Sequence, residues 1–179
     1  MRRFVVLLPL ALTSLGWAVS GAVAQPRPGT LTLQMDSGHA VIGISLAGDR
    51  TWFTETAGAL EYDPADPKKS TIALSLDTAS IEAEATRKLF DPDHFPEMRI
   101  ISTADARPGK DGMEALPVNV TIHDITRPIL LQVSFANSSP EIIVLHAEGM
   151  VKAADFRLGK AGDVPLMIDA PFVRVNQGR

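Results

Sequence analysis

The chain has 179 residues, 45% of them hydrophobic and 21% charged, with a formal net charge of −4. This is the composition of a globular protein with a single core, not of a disordered or fibrous chain. There is no cysteine, which excludes disulfides, thiolate metal sites and cysteine nucleophiles. An acidic balance without a basic run excludes a binder of nucleic-acid phosphates.

The first segment, MRRFVVLLPLALTSLGWAVSGAVA, has the plan of a cleaved secretory signal over residues 1–24. Arg2 and Arg3 give a charged start, an apolar run extends from Phe4 to Leu15, and Ala22-Val23-Ala24 supplies an A-x-A cleavage site. Ser14, Gly16, Ser20 and Gly21 break the run before it is long enough to anchor in a bilayer. Cleavage removes two arginines and no acid, so residues 25–179 form one domain with a net charge of −6. With no disulfide available, that domain must be held by its core or by a ligand in it.

Short alternating runs follow in chain order and predict strands. Leu31, Leu33 and Met35 share one face, and Ile42, Ile44 and Leu46 another. Trp52 and Phe53 are adjacent on a strand, so one ring faces in and the other out; the pattern does not say which. Leu60 with Tyr62, then Ile72, Leu74 and Leu76, then Met98 with Ile100, then Val118, Val120 and Ile122 continue the alternation. Ile129, Leu131, Val133 and Phe135 form the next face. "EIIVLHAEGMV" is ambiguous in register, and "VPLMIDAPFVRV" closes the chain. Turn residues separate the runs: Asp63-Pro64, Asp66-Pro67, Pro108 to Gly112, Asn137 to Pro140, and Gly159 to Asp163. One short helix is predicted within Thr78 to Phe90, with Ser80 as its cap, at the mouth of the strand assembly. The cadence argues for an all-β sandwich or barrel. Its inward faces suit either an apolar guest or a core packed solid.

The loop "LFDPDHFPEMRIIST" holds Phe90 and Phe95 beside Pro92 and Pro96. Two phenylalanines in a proline-rich, acidic loop must cover something apolar. They act either as plugs over one end of the core or as contacts for a ligand's tail.

Four motifs in order resemble the YceI-like family, the polyisoprenoid-binding proteins of bacterial periplasms. They are Gly58, Leu60, Asp63 and Pro64 leading to Asp77, Ser80 and Ile81; Leu89, Phe90, Asp91, Phe95 and Pro96 leading to Ser102; "VTIHDITRP" from Val120 to Pro128; and Asp155, Phe156, Arg157 and Leu158. Asp36 and His39 echo a further element near the front. The likeness runs from about Asp36 to about Val175. It implies an all-β, lipocalin-like antiparallel barrel of about eight strands in the periplasm, with an isoprenoid chain lying in it and no catalysis. The chain departs from the family in its trimmed loops, where "EAEATRK" stands before the Leu89-Phe90-Asp91 element and "ANSSPE" before the last hairpin.

Other chemistry finds little support. His39, His94, His123 and His146 are not at metal-ligand spacing, and His123 beside Asp124 suggests a tight turn. Asp63, Asp66, Asp91, Asp93 and Glu97 cluster with prolines as turn residues do. No G-x-S-x-G motif or Gly-rich phosphate loop occurs. Arg50, Arg127 and Arg157, near strand ends, are ordinary surface arginines or partners for a polar headgroup.

The leading expectation is therefore a non-enzymatic binding or carrier protein for a polyisoprenoid or quinone, with no cofactor other than that lipid. Its candidate ligand-binding residues are Trp52, Leu60, Tyr62, Ile72, Leu74 and Leu76 on the first strands, and Phe90 and Phe95 in the loop. Val120, Ile122, Leu131, Val133, Phe135 and Phe156 complete the set. The alternative is a filled barrel that partners a membrane redox protein such as a b-type cytochrome. Pairing of two barrels is left open by the sequence.

Overall fold

The computed structural model describes residues 29–46, 48–139, 141–159 and 162–174, with residues 137 and 138 described in backbone only. The expected signal at residues 1–24 lies outside the described residues. The strands are β1 (Leu31–Met35), β2 (Val41–Leu46), β3 (Asp49–Phe53), β4 (Thr56–Tyr62), β5 (Thr71–Asp77) and β6 (Glu97–Ser102). They continue with β7 (Arg107–Pro108), β8 (Glu114–Ile122), β9 (Ile125–Ser139), β10 (Ile142–Lys152) and β11 (Asp163–Arg174). One helix, α1 (Glu84–Phe90), stands between β5 and β6.

Antiparallel pairing runs β1-β4-β5-β6-β8-β9-β10-β11 and returns from β11 to β1. Eight strands thus close into a barrel, as expected. The closing seam is short, with Leu33 opposite Arg174, Gln34 opposite Val173 and Met35 opposite Phe172. Further along the same edge of β11, Val41 to Ile44 of β2 pair with Asp169 to Leu166. Strands β1 and β2 therefore behave as one strand interrupted by residues 36–40, a turn in which Asp36 O accepts from both His39 N and Ala40 N. Strands β4 and β3 form the matching interrupted partner. Beyond β3 the ring is completed by the chain after β5: Glu82 N donates to Trp52 O, Thr54 N to Ser80 O, and Phe53 bridges Ile81.

Alternation decides which side chains enter the barrel. Ile72, Leu74 and Leu76 are buried while their neighbours are not, and the same holds for Val118, Val120 and Ile122. The ambiguous β10 resolves with Ile143, Leu145, Ala147 and Val151 inward. Each fully buried aliphatic side chain contributes roughly 1.5–3 kcal/mol, so this one core holds the domain. The helix is shorter than its sequence pattern suggests. Thr78–Ser80 is a separate 3-10 turn capped by Asp77, whose side chain accepts from Ala79 N. Ser80 does not cap α1; its Oγ donates to Asp77 O, and Ala83 occupies the N-cap without a side-chain bond.

Leu76 has no exposed surface. Leu76→Ala should lower the free energy of unfolding by about 2–5 kcal/mol, seen as a lower urea midpoint. Leu130, 58% exposed on the outer wall, should tolerate alanine within about 0.5 kcal/mol.

Candidate functional site: the barrel interior and its capped end

The interior is predominantly apolar. Among the described residues the fully buried polar side chains are Thr51, Ser70, Thr78 and Thr86, and none is ionisable. Of the candidate wall residues, Leu60, Tyr62, Ile72, Leu74, Leu76, Val120, Ile122, Leu131 and Val133 are all buried in one cluster. Met98, Ile100, Leu145, Ile168 and Phe172 join them from β6, β10 and β11. Leu60, Leu76, Val120, Leu131 and Val133 have 0% of their surface open. No void large enough for a water molecule touches them, so the wall closes on itself. Phe135 is half-buried near the other end, where its ring meets Tyr62 at 5.7 Å.

Trp52 does not share this interior. Phe53 is the ring that enters, 3% exposed, while Trp52 lies half-buried on the outside. Gly43, opposite it on β2, decides this, because a Cβ there would run into the Trp52 ring. The indole instead lies across the bare backbone. It lines an outer concavity of about 290 Å³ with Val41, Met167, His146, Glu148 and Asp169.

One end of the barrel carries a built cap. Phe90, 1% exposed at the end of α1, sets its ring edge-on to Phe53 at 6.2 Å. Phe156, also 1% exposed, arrives from the 3-10 turn after β10. Phe95 is half-buried and lies 4.8 Å from the His123 ring. Threonine hydroxyls tether these pieces. Thr78 Oγ1 donates to Phe95 O at 2.6 Å, and Thr78 N donates to Pro96 O. Thr51 Oγ1 accepts from Ala83 N, which fixes the start of α1. Arg87 reaches back to Ile81 O at 2.7 Å. His123 Nδ1 lies 2.9 Å from Phe156 O and ties the β8–β9 hairpin to the 3-10 turn. Thr51 escapes sequence reasoning because a threonine in an alternating strand looks like a surface residue, and Thr78 because a threonine after a strand looks like an ordinary turn residue.

The remaining candidates are structural. Asp63 Oδ1 accepts from Ala65 N and Asp66 N, an Asx turn beside Pro64. His39 pairs with Asp36 at 2.9 Å and His146 with Asp169 at 3.3 Å. Among the described residues no three metal-ligating side chains converge. Arg50 lines a second outer concavity, of about 110 Å³, and Arg127 and Arg157 are exposed.

A closed antiparallel barrel with an apolar interior and one capped end defines a class of small β-barrel proteins. The sequence places the chain within that class: the YceI-like domain matches residues 29–175, and the protein belongs to the YceI-like family. A UPF0312 protein of Pseudomonas syringae pv. tomato is 25% identical over 139 residues, covering 70% of this chain and 71% of that protein. Among solved structures, BcnA of Burkholderia cenocepacia superposes with a TM-score of 0.68 at 13% identity, covering 76% of this chain and 98% of its own. A polyisoprenoid binding domain from Saccharophagus degradans superposes with a TM-score of 0.61 at 14% identity, covering 81% and 99% respectively. At these identities the structures establish the fold.

The cap loop has a pH-sensitive brace. His94 Nδ1 lies 3.0 Å from both Asp91 carboxylate oxygens, on an exposed turn where Asp91 takes a left-handed φ of 46°. That hydrogen bond, and next the Asp91 charge, hold the His94 pKa above its ordinary 6.5; partial loss of water opposes them and Asp93 adds to them. A raised folded-state pKa means the brace is fully present below about pH 6.5 and is lost as pH rises through the folded value. In an NMR titration the His94 midpoint should lie above 6.5 and fall toward it in Asp91→Asn. Amide exchange over residues 93–95 should quicken as the pH passes that midpoint, beyond the intrinsic rise in exchange rate.

Proposed function

We propose that this chain is a non-enzymatic periplasmic binding or carrier protein for an apolar isoprenoid-type lipid, a polyisoprenoid or a quinone, held in the barrel. The observation that carries this reading is the wall: eight strands turn aliphatic and aromatic side chains inward, with no ionisable group among the buried ones described. Such an interior is a solvent for hydrocarbon, with His123 at its capped end as the polar exception. The similarity to the Saccharophagus degradans polyisoprenoid binding domain supports the same class of cargo. The charged start and A-x-A site of residues 1–24 support export.

Because the wall is closed, a guest must displace side chains. Each buried CH₂ gains about 0.8 kcal/mol, so one five-carbon unit gains about 4 kcal/mol. Releasing the hydrogen bonds from Thr78, Thr51 and His123 to the cap costs about 1 kcal/mol each. Exposing Phe90 and Phe156 adds roughly 1.5–3 kcal/mol each to that cost, so a guest of several isoprene units is needed to offset the opening.

A second reading has a specific observation in its favour. The 0% exposure of Leu60, Leu76, Val120, Leu131 and Val133 also fits a permanently filled barrel that serves as an accessory domain to a membrane redox protein such as a b-type cytochrome.

The test is solvent extraction and mass spectrometry of the protein recovered from a periplasmic fraction without detergent, followed by thermal melts with added quinone. The lipid reading expects a stoichiometric isoprenoid or quinone and a higher melting temperature with added quinone. A clean extract with no shift on adding quinone would overturn it in favour of the filled barrel.

A further inference from the structure

His123 carries two local costs at once. With Asp124 it forms the two-residue turn between β8 and β9, at φ of 52° and 57°. Both residues sit in the left-handed region, where such turns favour asparagine and glycine. Its Nε2 is also shut off from solvent and has no hydrogen-bond partner among the described residues. A buried polar atom left unpaired costs about 1–3 kcal/mol, and native structures keep few of them. Glycine at position 123 would remove both costs.

The other side of the ring fixes what Nε2 can do. Nδ1 is 2.9 Å from Phe156 O, and a carbonyl oxygen only accepts, so Nδ1 carries the hydrogen. In the neutral ring Nε2 then presents a lone pair and no proton. The imidazole that carries this acceptor stands against two phenyl rings, with centroid separations of 6.3 Å to Phe90 and 4.8 Å to Phe95. It lies at the junction between cap and barrel, where a guest filling the interior would bring one of its ends. Phe95 belongs to the loop tethered through Thr78, so cap opening would uncover the imidazole.

We propose that His123 is the polar anchor of the barrel, and that its Nε2 accepts a hydrogen bond from the hydroxyl of an isoprenoid alcohol or of a reduced, phenolic quinone. This rests on the lipid-binding reading above and narrows it to a head group. An O–H satisfies the lone pair. A quinone carbonyl, an ether and an ester bring only acceptors, which leaves Nε2 unpaired.

Geranylgeraniol, its methyl ether and squalene test this on the purified protein, with affinities from calorimetry and the His123 Nε2 signal followed by nitrogen-15 NMR. The alcohol should bind about tenfold more tightly than the ether, the gain of one buried hydrogen bond. It should also move the Nε2 signal, whereas the ether and squalene should not. His123→Asn, a residue that tolerates the left-handed turn, should bring the two affinities together while ether binding persists. Equal affinities with an unmoved Nε2 signal in the unaltered protein would overturn the anchor and leave the lipid site standing. Failure of all three probes to bind would instead overturn the lipid-binding reading, and the anchor with it.

Discussion

The barrel depends on one seam. Three residue pairs between β1 and β11, Leu33–Arg174, Gln34–Val173 and Met35–Phe172, turn an open sheet into a closed one. Without that seam β1 and the C-terminal part of β11 would offer unpaired backbone groups to other chains, and their apolar faces would meet water. The seam is short because β11 is shared: its remaining edge belongs to β2. The turn at residues 36–40 makes the sharing possible, and Asp36 holds it from three sides. Its carbonyl accepts from two amides, its own amide donates to Pro171 O at 2.8 Å, and its side chain meets His39.

Closure has a thermodynamic corollary for the interior. The cap is held differently from the wall, by the buried rings of Phe90 and Phe156 and by separate hydrogen bonds. Its anchor points are individual hydrogen bonds to threonine hydroxyls and a carbonyl, whereas the barrel is stitched by continuous ladders. Regions held by few bonds open first in folded proteins.

Much of this was legible in the sequence because alternation is a strong signal. Ile72, Leu74, Leu76, Val118, Val120 and Ile122 were placed by period alone, and the barrel rather than the sandwich came from the ordered motifs. What escaped did so for physical reasons. In β10, Ile142 and Val144 face outward beside inward Ile143 and Leu145, so both faces look apolar and the register is hidden. Trp52 and Phe53 are equivalent by alternation; the missing Cβ of Gly43, nine residues earlier in sequence, turns the indole outward. The expected helix cap failed because Ser80 is used by the backbone of its own 3-10 turn. A closed interior and an open one share the same alternation, so packing had to be seen.

The position of Trp52 also decides what light can report. Trp17 falls within residues 1–24, so a chain cleaved after residue 24 would carry Trp52 as its sole tryptophan. That indole rests on the outer wall against Gly43, on the far side of the β2 backbone from Ile42 and Ile44. Its emission senses the exterior of the barrel. The single tyrosine, Tyr62, stands inside at 6% exposure. The two chromophores therefore divide the molecule by face, with tyrosine in the packed interior and tryptophan on the surface that meets whatever lies outside.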